Sequence, residues 1–103
     1  MDVDLLFHAL ADATRRDIVR RTLDDSFSVS TLAREYPMSF AAVQKHVAVL
    51  ERAGLVTKER RGREQYVAGN PVALRSAHEA LDQLELIWRE RVARMDHLLS
   101  ENP

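Results

Sequence analysis

Residues 29–55, VSTLAREYPMSFAAVQKHVAVLERAGL, constrain the fold more than any other stretch of the chain. Ser28 is placed to cap a helix in which Val29, Leu32, Ala33 and Tyr36 make the i, i+3, i+4, i+7 stripe of a buried face. Pro37 stops that helix, because proline cannot continue the hydrogen-bond ladder and disfavours helix at the residue before it; Pro37-Met38 makes the turn. Ser39 caps a second helix, whose Val43, Val47 and Leu50 repeat at four and three, and Gly54 ends it just past the C-cap. Leu55–Arg60 and Glu64–Ala68 then read as short strands joined by Arg61-Gly62-Arg63, with glycine allowing the positive φ of a tight hairpin.

The N-terminal third supports this unit. Asp4–Ala11 reads as a short helix with Leu5, Leu6, Ala9 and Leu10 apolar. Asp12 can cap a second, ATRRDIVRRTLD, with Ile18, Val19 and Leu23 inward and Arg15, Arg16, Arg20 and Arg21 outward. Ser26-Phe27 is a short extended link. At the other end Gly69-Asn70-Pro71 makes a break, and Val72–Leu99 runs on without proline or glycine. Leu74, Ala77, Leu81, Leu84, Trp88, Met95 and Leu98 occupy the a and d positions of a heptad register, with Arg91 the single polar exception and Ala73, Ala80 and Ile87 widening the stripe. At ~1.5 Å per residue such a helix is roughly 40 Å long, too long to cover its apolar side against so small a domain. A second copy of the chain, related by a two-fold axis, is the economical partner. The alternative is a helix packed at one end and frayed at the other.

Composition narrows the classes of function. One hundred and three residues make a single domain, 1–103, and 46% hydrophobic with 30% charged residues is ordinary for a globular chain. There is no cysteine, so there is no disulfide framework and no thiolate metal site, and a reducing cytoplasm fits. No apolar run approaches a membrane span, and the acidic start MDVDLLFHALAD is unlike a signal peptide. The chain carries a net charge of −1, yet its basic residues are not evenly spread. Between Gln44 and Tyr66, six cations (Lys45, Arg52, Lys58, Arg60, Arg61, Arg63) face three anions (Glu51, Glu59, Glu64), leaving that segment net +3. They fall on the second helix of the pair and on the hairpin tip, where phosphate contact is the natural use.

A helix-turn-helix (29–54) with a basic hairpin wing (55–68) fits duplex DNA, one helix entering the major groove and the wing reaching backbone or minor groove. On a wheel centred on Val43 the far side of the second helix collects Ala41, Lys45, Ala48 and Arg52, with Gln44 on its shoulder. Two alanines beside a lysine keep a low profile that suits a groove about 12 Å wide. A carboxamide can bond adenine N6 and N7 together, which makes Gln44 the candidate base reader, and Lys45 can reach a guanine or a phosphate. Ser39 and the amides beside it, with Phe40 following, sit at the positive helix end where a phosphate can be held. His46 lies beside the buried face, so it either packs there or contacts a base. Arg60, Arg61 and Arg63 crowd the wing tip and repel one another unless an anion is present. Tyr66 is expected to pack the strand pair onto the domain.

ALADATRRDIV, LAREYPMSFAAVQKHVAVLERAGLV, RRGREQYV and IWRERVARMDHLL, in that order, make the chain resemble the ArsR/SmtB family of bacterial winged-helix repressors. It resembles most the metal-independent members whose last helix carries a W-x-E-R-like motif, here Trp88-Arg89-Glu90-Arg91. The resemblance spans about residues 5 to 99 and implies a mostly α fold with a small β-hairpin and a long C-terminal dimerisation helix (72–99). It implies a homodimer joined through the first and last helices, with Leu6, Leu81, Leu84, Ile87, Trp88 and Met95 at the interface. It also implies two recognition helices one DNA turn apart on a near-palindromic operator, and repression of the protein's own operon.

The departures bear on effectors. Where the family's cysteine-containing metal motif lies, this chain has Ser28-Val29-Ser30-Thr31-Leu32, and His78 and His97 stand too far apart for the family's second metal site. His78, Glu79 and Asp82 share a helix face that Asp96-His97 of an antiparallel partner could meet, so a metal-responsive repressor remains an alternative; the expectation is no metal, no cofactor and an unknown effector. A winged-helix module for protein contact is another alternative. An enzyme is not expected: there is no phosphate loop, no H-E-x-x-H and no paired-carboxylate site, and Asp24-Asp25 suits a turn.

Overall fold

The computed structural model describes residues 2–101. Within them the order is α1 (Val3–Leu10), α2 (Ala13–Asp24), β1 (Phe27–Ser28), α3 (Val29–Arg34), α4 (Phe40–Arg52), β2 (Val56–Arg61), β3 (Glu64–Gly69) and α5 (Pro71–Glu101). Each helix start is set by a short polar side chain that takes up a free backbone N–H, an arrangement typically worth ~1 kcal/mol. Asp2 Oδ1 accepts from Asp4 N at 2.9 Å, Asp12 Oδ2 from Arg15 N at 3.0 Å, and the Ser28 and Ser39 hydroxyls from Thr31 N and Ala42 N at 3.1 Å each. Asn70 Oδ1 does the same for Val72 N at 3.1 Å, with Pro71 at the first helical position where its missing N–H costs nothing.

The core is built where these helices cross the base of the hairpin. Leu6 and Ala9 of α1, Ile18 and Val19 of α2, Val29 and Leu32 of α3, and Val43, Val47 and Leu50 of α4 meet Leu55, Val56 and Val67, all buried. Two expectations for α2 need correction. Leu23 is 42% exposed, and the inward position between Ile18 and Val19 on the wheel belongs to Thr22, whose hydroxyl is satisfied by the Ile18 and Val19 carbonyls at 2.8 and 3.2 Å. The α2 arginines do not simply point to solvent; several fold back onto carbonyls and carboxylates of the chain.

The link at Ser26-Phe27 is more than a connector. Phe27 and Ser28 pair antiparallel with Val67 and Tyr66, so the hairpin becomes a three-stranded sheet in the order β1-β3-β2. β2 and β3 pair from Val56↔Gly69 to Arg61↔Glu64, leaving Gly62-Arg63 as a two-residue loop with Gly62 at φ 63. α3 ends at Arg34 with Glu35 as its C-cap, two residues short of the apolar stripe, and Tyr36 reaches the core from the turn instead.

α5 behaves differently along its length. Ala73 and Ala77 are buried against the body, but every residue from Leu81 to Ser100 is exposed. At ~1.5 Å per residue its 31 residues make a rod of about 46 Å, and the chain measures 72 × 25 × 22 Å as a result.

Candidate nucleic-acid interface

α4 is fixed at both ends and along one side. Its C-terminus closes with Gly54 N donating to Glu51 O at 3.0 Å and Leu55 N to Leu50 O at 2.9 Å, the paired bonds of a Schellman motif, with Gly54 at φ 81. Asn70 then ties this end to the start of α5: its side-chain amide donates to Gly54 O at 2.9 Å and its backbone N–H to Leu55 O at 2.8 Å. The wing is aimed by Lys58 of β2, whose ammonium lies 3.3 Å from Glu51 of α4.

The opposite side of α4 is open. Ser39, Phe40, Ala41, Gln44, Lys45 and Arg52 are all exposed, and Ala48 is half-buried between them. At ~100° per residue these positions span one arc, with Phe40, Gln44 and Glu51 on the wing's flank and Lys45 and Arg52 on the other. Among the described residues, the side chains of Gln44, Lys45, Arg52 and Arg63 make no hydrogen bond or ion pair with the protein.

His46 is a correction to the set of base-contact candidates. Its side chain is 22% exposed and turned toward α2, with Nδ1 3.4 Å from Arg15 Nη1 and 3.9 Å from Asp12 Oδ2. Arg15 in turn donates from Nε to Ala9 O at 2.7 Å and from Nη2 to His8 O at 3.0 Å, closing the C-terminus of α1. The backbone N–H of Arg15 first, with the adjoining His46 and the Arg15 guanidinium adding to it, holds the Asp12 carboxyl below its usual range, against a burial effect that raises it. His46 is therefore part of the joint that locks α4 to α1 and α2.

The wing tip is less self-repelling than its composition implies. Arg61 is paired with Glu59 at 3.3 Å and stacked over Tyr66 with its guanidinium carbon 4.6 Å from the ring centre, and Arg60 Nε donates to Gly62 O at 3.2 Å. Tyr66 is half-buried, so it both packs and carries Arg61. Arg63, across the turn, is exposed and meets no partner among the described residues.

A hub that the sequence reading missed lies behind the helix pair. Asp17 accepts from Tyr36 Oη at 2.7 Å, Arg21 Nε at 2.8 Å and Arg20 Nη2 at 2.6 Å, and Arg21 also approaches Glu35 at 3.6 Å. The Arg21 bond first, then those from Tyr36 and Arg20, hold the Asp17 carboxyl far below the usual carboxylate range. Spacing alone offered part of the signal, since Asp17 precedes Arg20 and Arg21 by three and four residues.

Of the residues expected at an interface with a second copy, Leu81, Leu84, Ile87, Trp88 and Met95 are exposed, Trp88 at 59%. Leu6 is a correction: it is fully buried in the chain's own core, and the exposed apolar residues of α1 are Val3 and Leu5. His78, Glu79 and Asp82 are exposed on α5 and, among the described residues, no three His, Cys, Asp or Glu side chains converge within one chain.

A capped recognition-type helix with an open arc, backed by a helix pair and flanked by a basic wing, defines a winged helix-turn-helix DNA-binding protein. Residues 10–59 match the family described as Helix-turn-helix domain. The chain is 38% identical over 80 residues to the HTH-type transcriptional regulator Rv2034 of Mycobacterium tuberculosis, covering 78% of this chain and 75% of that protein. The ArsR-like transcriptional regulator from Rhodococcus sp. RHA1 superposes with a TM-score of 0.88 at 28% identity over 98% of this chain and 93% of that one. A homodimeric winged helix-turn-helix DNA-binding domain, Mb0332 of Mycobacterium bovis, described as a possible ArsR-family regulator, superposes at TM-score 0.66 and 25% identity over 82% and 77% of the two chains. The chain belongs to the ArsR family of transcriptional regulators. It is a DNA-binding regulator and not an enzyme. Among the described residues no helix is long and apolar enough to cross a membrane.

Proposed function

We propose that the protein is a cytoplasmic homodimeric repressor that binds a near-palindromic operator, its own operon included, through α4 and the wing. The observation that carries this reading is the continuity of one α5 face. On a wheel, Leu81, Leu84, Trp88, Met95 and Leu98 prolong the side that Ala73 and Ala77 bury against the body, and none of the described residues covers the continuation. A second copy would cover it and would carry a second α4. The homodimeric Mycobacterium bovis relative supports such an arrangement. In this reading Gln44 contacts a base, Lys45 a base or phosphate, and Ser39, Arg52, Arg60, Arg61 and Arg63 hold phosphates on either side.

The test uses Trp88→Ala together with Leu84→Ala. A large aromatic in the middle of an interface is typically worth on the order of 2–4 kcal/mol on truncation. The double variant should therefore shift toward monomer at micromolar concentration in light scattering, and gel-shift affinity for a two-half-site duplex should fall with it, because linkage between half-sites is lost. A monomeric wild type removes the dimer from this reading, and a double variant that stays a tight dimer removes Trp88 and Leu84 from its seam.

A further inference from the structure

We propose that Phe40 reads the C5 methyl group of a thymine in the major groove, within about two base pairs of the base met by Gln44. The inference rests on α4 being the recognition helix. Its own starting point is the distribution of exposed apolar side chains. Those on α1, at the end of α2 and along α5 lie outside residues 29–69, the helix-turn-helix and wing. Within those 41 residues Phe40 is the one large apolar side chain left open among the described residues, at 47% exposure. A phenyl ring standing in a polar, basic surface has a cost in water that a ligand with apolar surface would remove.

Its place on α4 selects the ligand. Phe40 is the first helical residue and lies one turn before Gln44, about 40° from it around the axis, on the flank where Lys58 pins the wing to Glu51. A ring has no group with which to hold phosphate. Of the edges a duplex offers to a helix in its major groove, the thymine methyl is the apolar one. Four residues of helix advance ~6 Å, against a base-pair rise of ~3.4 Å, so the two side chains address positions no more than about two base pairs apart. Phe40 and Gln44 thus form a reading pair of complementary type, the first for a methyl and the second for a hydrogen-bonding edge.

The experiment selects duplexes from a random pool with the full wild-type chain, then replaces each thymine of the selected site by deoxyuridine, which keeps the base pair and removes only the methyl. Wild type should lose about fourfold in affinity at one thymine per half-site, the effect of one buried methyl group. That thymine should lie within two base pairs of the position whose preference relaxes in Gln44→Ala. Phe40→Ala should bind thymine and uracil sites equally, a ratio read independently of any overall change in affinity. Phe40→Leu should retain part of the discrimination. Equal uracil sensitivity in wild type and Phe40→Ala overturns the proposal, as does a wild type indifferent to every thymine-to-uracil replacement. A pool from which no preferred sequence emerges overturns the recognition reading itself, and this inference with it.

Discussion

α2 and α4 show outwardly similar chemistry and opposite use of it. α2 carries four arginines and α4 with the wing carries six cations, yet the α2 set is engaged by the protein. Arg15 and Arg16 close the end of α1 by donating to the His8, Ala9 and Leu10 carbonyls, and Arg20 and Arg21 are held by Asp17. On the other surface Lys45, Arg52 and Arg63 have no partner among the described residues, whereas Lys58, Arg60 and Arg61 are held within the wing and its joint to α4. Positive charge on a helix therefore does not mark a DNA face by itself. What marks it is charge whose hydrogen bonds the fold leaves unmade, next to a backbone the fold has made rigid.

The largest test of that contrast removes the anchor of the engaged set. Asp17→Ala leaves the half-buried Tyr36 hydroxyl and two arginines without their acceptor, and hydrogen bonds to an ionised group contribute roughly 1.5–3 kcal/mol each when shielded. A loss of about 3 kcal/mol in urea unfolding is expected, with the salt slope of DNA binding unchanged. A change in salt slope would mean that α2 also meets phosphate. Because the Asp17 carboxyl is depressed in the fold, its contribution is present above the ordinary carboxylate range near pH 4 and is lost as pH falls through the lower folded value. Wild type should therefore lose more stability on acidification than Asp17→Ala does.

Second in size is the open set on α4. Gln44→Ala and Lys45→Ala should each weaken binding to a selected site by about 2 kcal/mol, with Gln44→Ala also relaxing preference at one base pair. Thermal unfolding should be unchanged, since neither side chain bonds to any of the described residues. Variants that lose stability as well as affinity would erase the distinction between the two helices.

Legibility followed the range of the interactions. Caps, turn, helix ends and the wing's glycine were readable because each depends on a few neighbouring residues, as Ser39 with Ala42 or Gly54 with Leu50 and Glu51. The exposed arc of α4 was readable for the same reason. What escaped joins distant parts of the chain: Phe27 against Val67, Tyr36 with Asp17, and His46 with Arg15. A two-residue strand has no period to detect, and a half-buried tyrosine looks the same in sequence whether its hydroxyl meets water or a carboxylate. Leu23 and Leu6 failed differently, because composition does not say which side of an amphipathic arc faces a partner and which faces the chain's own core.

The wing carries the contrast within a single hairpin. Arg61 is paired with Glu59 and stacked on Tyr66, whereas Arg63 is open. Arg63→Ala should flatten the salt dependence of binding by about 0.9 for each phosphate that Arg63 neutralises, on selected and random duplex alike. Arg61→Ala should change that slope less, because Glu59 and Tyr66 already occupy part of its guanidinium. Equal slopes would show that DNA draws Arg61 off its partners, and a loss confined to the selected site would show the wing reading sequence.

The smallest expected effect is a pH signature of the engaged set. Burial first, and then the bond to Asp17 and its negative charge, push the Tyr36 phenol up to about 12. An unfolded tyrosine titrates near 10, so the folded chain holds this proton more tightly, and the associated stability is fully present below about pH 10 and lost as pH rises toward 12. Tyr36→Phe keeps the ring beneath Arg21 but removes the hydroxyl, at a cost of about 1 kcal/mol at pH 7. Urea unfolding at a series of pH values should show that gap closing between pH 10 and 12, where wild type must give up its proton and the variant has none to lose. A gap constant across the range would mean that the hydroxyl is no more held in the fold than in the unfolded chain, and that Asp17 fastens the arginines alone.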